Sequence, residues 1–353
     1  MGGEYFYGTP TLDISDQTSN YPVIACGTST VNYSSEVTSY TTTLLNQCGL
    51  VEFTTTNEIP VGKTIFISGV RNKVTLDFAT SSIIPSEETG TIFLHTESTT
   101  VSRAILLPTT EPMTVTACAP GYSPVEITIP AIGNNAYLAG VNGPNFTLTE
   151  SPIVDLSTII LNDYEAQDGE TLTGTAVNDD LHITIAASAT VTLSNATINS
   201  GRIECLGDAT LVLADGTANS VHSSYSGIYV PEESTLIITG SGSLVADASD
   251  SSGGAGIGAF YWTNCGNIYI EGGTITATGG IAAAGIGGGA YADCGDITIT
   301  SDVTRVTATG GGYGACCIGH SDGSCGTITI GSYSMGDCVE GEGGTYVYES
   351  EPW

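Results

Sequence analysis

The chain has 353 residues, ample for a large core, and sets 6 Lys and Arg against 37 Asp and Glu, a formal net charge of -31. Such a surface repels phosphate backbones and anionic lipid, which argues against nucleic-acid and membrane partners. Only 12% of residues are charged and mean hydropathy is +0.17, so the composition describes a folded Thr-, Ser- and Gly-rich protein and not a disordered acidic tail.

The opening "MGGEYFYGTPTLDISDQ" has neither the basic segment nor the apolar stretch of a secretory leader, and the chain is expected to be made without one. Residues 1–150 then carry runs such as "TIFISG", "KVTLDF", "TIFLH" and "VEITIPAIG", punctuated by Pro and Gly and without a period. This pattern predicts a β-sandwich-like domain. Four of the six basic residues, Lys63, Arg71, Lys73 and Arg103, lie in it, so it is expected to hold its own partner. An ordinary exposed hairpin around "GVRNKVTLDF" is the competing reading. Residues 151–180 read as a connecting segment.

From 181 to 335 the text repeats. Ile268, Ile297 and Ile328 fall in register, as do Ile270, Ile299 and Ile330, and Leu236 with Ile238, then Leu211 with Leu213, extend both ladders backward. A second series runs Leu244, Ile275, Val306, with Ala246, Ala277 and Ala308 two residues on, and a third runs Ile228, Ile257, Ile286, Ile318. Each unit of about 25 to 32 residues thus holds three short alternating runs separated by Gly, Asn, Asp and Ser. One such unit cannot bury its own inward side chains, so the units must stack, which predicts a parallel β-helix. "GIGGG" opens no helix and precedes no Lys-Ser or Lys-Thr, so it is read as corner glycine and not as a phosphate loop. Residues 336–353 are expected to form a cap or tail.

The ten cysteines show no C-x-x-C and no His at zinc-finger spacing, which points to structural use. Cys265, Cys294 and Cys325 each precede the Gly that opens the same strand and should stack on consecutive coils. Stacked strands bring Cα atoms within disulfide range, but three thiols leave one over. A column of buried thiols acting as small apolar residues is the favoured reading.

The segments "AGIGGG", "CGDITI", "GGTITATGG", "CLGDATLVLADGTANSV" and "GIYVPEESTLIITGSGSL" resemble the Gly-rich right-handed β-helix repeats of cell-surface proteins of Firmicutes and of phages that infect such hosts. The resemblance covers about 185 to 332. It implies an all-β fold with a right-handed helix, and some relatives of this kind are labelled carbohydrate-binding.

A lyase would need a base and a cation, yet the repeat region offers only Arg202 and Arg305, on different coils. Arg305 adjoins a core Val and should face solvent. A hydrolase needs converging carboxylates. The compact groups are Asp179 and Asp180 with His182, and His320 with Asp322, and turns of Asp and Ser explain both. No enzyme activity, cofactor or metal is therefore expected. Binding is better supported: Phe260, Tyr261 and Trp262 share one loop, with Tyr291 at nearly the same place one coil later and Tyr313 near the next. These residues could hold a sugar chain or meet another subunit. The expectation is a non-catalytic virion surface protein of a phage (capsid decoration, head fibre or tail appendage). Its first domain would bind other virion proteins, its β-helix would project toward host glycans, and a homo-oligomer is compatible with the sequence. The alternative is a secreted cell-surface carbohydrate-binding protein, and a polysaccharide-degrading enzyme comes third.

Overall fold

The computed structural model describes residues 11–13, 25–26, 45–46, 48–60, 63–77, 82–159, 161–339 and 344–350. The opening segment, on which the leader reading rests, lies largely outside them. The protein is all-β with long parallel sheets, and it divides into two compact units, Met1–Ser151 and Pro152–Trp353.

In the first unit, strand Gly49–Thr55 alternates buried and half-buried positions, as period-two patterning requires. It pairs antiparallel with Val101–Leu106, which in turn pairs with His95–Ser98. A second sheet orders Val125–Ile129, Met113–Cys118, Phe66–Val70 and Gly90–Phe93, all antiparallel. Val51, Phe53 and Ala104 of the first sheet share one apolar core with Ile67, Ile92, Val115 and Ile129 of the second. On the outer face, Arg103 donates to Glu52 at 2.8 Å and lies 3.2 Å from Glu97. Arg71 pairs with Glu87 at 3.2 Å. Two of the cations that suggested an outside partner thus have partners within their own unit.

In the second unit the strands form columns, and each repeat adds one strand to each column. The first column pairs Thr190–Ile198, Ala209–Leu213, Thr235–Gly240, Asn267–Ile270, Ile297–Ile299 and Ile328–Ile330. The second pairs Ala218–His222, Ser243–Asp247, Thr274–Thr278 and Arg305–Thr309. Strand Thr190–Ile198 pairs into both, which joins them in one sheet of fourteen strands. The third column runs from Asp163–Ala166 through Leu181–Ile185, Gly201–Cys205, Ile228–Tyr229, Ile257–Gly258 and Ile286–Gly287 to Ile318–Gly319.

The ladders Ile268/Ile297/Ile328, Leu244/Ile275/Val306 and Ile228/Ile257/Ile286/Ile318 pair as read from the sequence. These side chains are fully buried. Each Ile withdrawn from water contributes about 1.5 to 3 kcal/mol, which outweighs the β-branched entropy cost. One register differs. Leu236 lies beside Ala209, and Ile238 beside Leu211, two residues from the expected pairing. A shift of two preserves the buried face, so the apolar pattern alone cannot distinguish the two registers.

The boundary at 181 is also corrected. Ile153–Asp155, Asp163–Ala166 and Thr171–Thr175, placed in the connecting segment, already pair in parallel with the repeats. Their spacing hid them: Tyr164 to Ile183 is 19 residues, whereas Ile286 to Ile318 is 32, because the corners lengthen along the chain.

Two local devices hold the stack. Side-chain oxygens of one repeat accept backbone N–H groups of the next: Asn264 from Asp293, Asp293 from Ser324, Asn267 from Asp296, and Asp296 from Thr327 at 2.7 Å. Asp and Asn recur at these corners because each caps a donor that the turn leaves unpaired. The third column also needs glycine at Gly258 and Gly287, where φ is +141° and +126° and an added Cβ would collide with the Gly287 and Gly319 carbonyls.

The array ends by reversing direction. Thr345–Glu349 pairs antiparallel with Arg305–Thr309, Cys338–Val339 with Ile318–Gly319, and Tyr333–Ser334 with Ile328–Ile330. Last strands that would otherwise present open edges are covered.

Candidate functional site

Tyr261, Trp262 and Tyr291 are exposed and lie in the corners that follow Ile257–Gly258 and Ile286–Gly287. Trp262 and Tyr291 occupy equivalent positions after their third-column strands, both with left-handed backbone, φ +60° and +58°. Their rings stack 4.8 Å apart at 20°, and Tyr261 meets both edge-on, at 5.7 and 5.9 Å. Trp262 is 66% exposed, so the outer indole face remains open to solvent. A bulky residue in left-handed backbone costs about 1 kcal/mol or more, a cost the fold bears at successive repeats.

Phe260 and Tyr313 do not join this stack. Phe260 turns the other way and stacks on Tyr229 at 4.0 Å, with Tyr225 edge-on at 6.1 Å. Burial pushes the Tyr229 phenol above its ordinary pKa. Tyr313 precedes its third-column strand whereas Tyr291 follows its own, so the two belong to different corners. It is 82% exposed, with φ +53°.

The sequence paired His182 with Asp179 and Asp180. The structure instead places it between Asp163, 3.1 Å from Nδ1, and Glu204, 2.8 Å from Nε2, on the two flanking strands. Both partners are alternate outward residues of the third column, a relation invisible until the strands pair. Likewise, His320 Nε2 faces Asp337 at 3.7 Å, with Nδ1 3.3 Å from the Ser321 carbonyl. Arg305 faces outward and pairs with Glu349 at 3.0 Å.

Beside Glu204 lies Arg202, whose guanidinium sits 5.3 Å from the Tyr225 ring centre and 5.9 Å from that of Phe260. Its Nε is buried without a hydrogen-bond partner, 3.9 Å from the Glu204 carboxylate. Sequence reading set Arg202 aside as a lone cation. The signal available was its alternation with Glu204 on one strand face.

The cysteine column also differs from a row of thiols. Cys294 and Cys325 are adjacent in the stack and form a disulfide, with Cα atoms 4.4 Å apart. Cys265, one repeat earlier, is buried, and burial raises its thiol pKa well above the ordinary range. A second disulfide, Cys316–Cys338, ties the terminal antiparallel segment to the last full repeat. Among the described residues, no group of three or more His, Cys, Asp or Glu is placed to hold a metal ion.

Comparison with protein-family models, curated proteins and solved structures finds no match.

Proposed function

We propose that the second unit is a right-handed parallel β-helix and that it serves as a rigid, non-catalytic element that contacts glycans outside the cell. The first unit, a β-sandwich in this reading, attaches it to a larger body. The carrying observation is the Tyr261, Trp262 and Tyr291 cluster, three rings on neighbouring corners with the Trp262 face open. Ring faces offer apolar area at low entropic cost, and Trp262 and Tyr291 are presented from strained left-handed backbone. The two disulfides support an oxidising environment. A phage particle is the first body proposed, with other virion proteins as partners of the first unit, and a bacterial cell wall is the alternative.

A polysaccharide-degrading enzyme remains the third reading. His182 occupies the space between Asp163 and Glu204, where a hydrolytic water or a scissile bond would have to sit.

The test is retention in native gels containing soluble cell-wall polysaccharide. Trp262→Ala and Tyr291→Ala should each abolish retardation while leaving the unfolding temperature unchanged. Undiminished retardation in both would remove the binding role. Gold-labelled antibody against residues 185–332 separates the two bodies: label on discrete particles supports the virion, and label on walls supports the cell surface.

A further inference from the structure

We infer that Arg202, Glu204 and Tyr225 form a second sugar subsite, and that it takes an uncharged hexose unit. The inference rests on the glycan reading above and extends its site along the stack.

The Arg202 guanidinium carbon lies 5.3 Å from the Tyr225 ring centre and 5.9 Å from that of Phe260, and the side chain is 21% exposed. Among the described residues it makes no hydrogen bond, although a guanidinium carries five donors. Nε is buried, so the terminal nitrogens of this planar donor group, beside two rings, are what it offers an acceptor from outside. Glu204, 23% exposed, has Oε2 3.9 Å from Nε, and His182 Nε2 holds that same Oε2 at 2.8 Å, so Oε1 is the acceptor it offers. A donor and an acceptor side by side match two adjacent hydroxyls of a sugar ring, each of which both donates and accepts. Tyr225, 51% exposed, supplies an apolar wall.

Charge selects an uncharged unit over a uronate or a phosphorylated sugar. Arg202 is offset by Glu204, Asp163 lies one hydrogen bond further on, and the whole chain carries -31. An approaching anion would gain one contact against a repulsive field. Hydroxyls incur no such cost.

The two clusters are continuous. Phe260 packs on the Arg202 side and its neighbours Tyr261 and Trp262 on the Tyr291 side. The strand bearing Arg202 lies three strand spacings from Ile286–Gly287, about 14 Å, so one chain of several sugars can touch both.

The test measures binding of the full chain to immobilised hexasaccharides of glucose, galactose, mannose and N-acetylglucosamine, with hexagalacturonate as the anionic probe. At least one neutral hexasaccharide should bind. Arg202→Lys, which keeps charge and stem but loses the planar donors, should weaken it about tenfold, and Tyr225→Ala should do likewise. Unchanged unfolding temperatures would show that both variants fold, and Arg202→Met serves as a second variant. Loss of binding in Trp262→Ala with none in the Arg202 variants overturns this subsite and leaves the glycan reading intact. Preference for hexagalacturonate, abolished by Arg202→Lys, overturns the uncharged ligand. Binding to no member of the panel overturns both.

Discussion

Trp262 and Tyr291 stack at 4.8 Å although 29 residues separate them, because each begins from the same left-handed corner of successive repeats. A left-handed Trp is strained in a way that glycine is not. Trp262→Gly should therefore match or exceed Trp262→Ala in unfolding temperature, while both lose polysaccharide retention equally. A glycine variant markedly less stable than the alanine variant would mean that the indole holds the corner together.

The Ile ladders should behave as one core. Ile297→Ala removes a fully buried side chain between Ile268 and Ile328 and should cost about 2 to 5 kcal/mol in urea unfolding. Asp296→Ala, which strips the cap from the Thr327 N–H, should cost about 1 kcal/mol. Equal losses from the two would contradict a stack held mainly by apolar burial.

The disulfides close loops of 31 and 22 residues. Loop-closure entropy assigns each about 3 to 4 kcal/mol. Reduction, or Cys316→Ser with Cys338→Ser, should lower the urea midpoint followed by Trp fluorescence, in which Trp262 reports the second unit. An unchanged midpoint after complete reduction would show that the reversed terminal strands hold without the bridge.

Two thiols should be silent. Burial, with the Glu204 charge adding to it, pushes Cys205 up to about 12, and Cys265 is raised further by burial beside Cys205. Only thiolate attacks iodoacetamide, so neither should be alkylated in the native protein at pH 8, and both should react fully in denaturant. Native labelling of Cys265 would mean that the column opens.

Acid should loosen the second unit through Asp247. Burial favours its neutral form, but hydrogen bonds from Ser249 and the nearby His222 outweigh this and lower its pKa. Its contribution is complete above the ordinary value of 3.8 and is lost as pH falls through the lower folded value. Between pH 5 and pH 3 the urea midpoint should fall less steeply in Asp247→Asn than in the parent chain. Parallel curves would remove Asp247 from the acid transition.

The sequence by itself determined what repeats locally. Alternation in "NIYI" and "DITI" assigns Ile268, Ile270, Ile297 and Ile299 to the buried face, and the recurring Ile-Gly at Gly258 and Gly287 marks the third column, because both signals act within a few residues. Only the tertiary structure decided who stands beside whom. The two-residue slide of Ala209 beneath Leu236, the entry of Ile153–Asp155 into the array, the bridge from Cys294 to Cys325 and the separate corner of Tyr313 all depend on how much chain each corner consumes. The same holds for His182 between Asp163 and Glu204, and for Arg202 against Phe260, 58 residues away. Strand alternation is set by backbone geometry with a period of two, whereas lateral neighbours are set by corner length, which varies from repeat to repeat and carries no apolar signature.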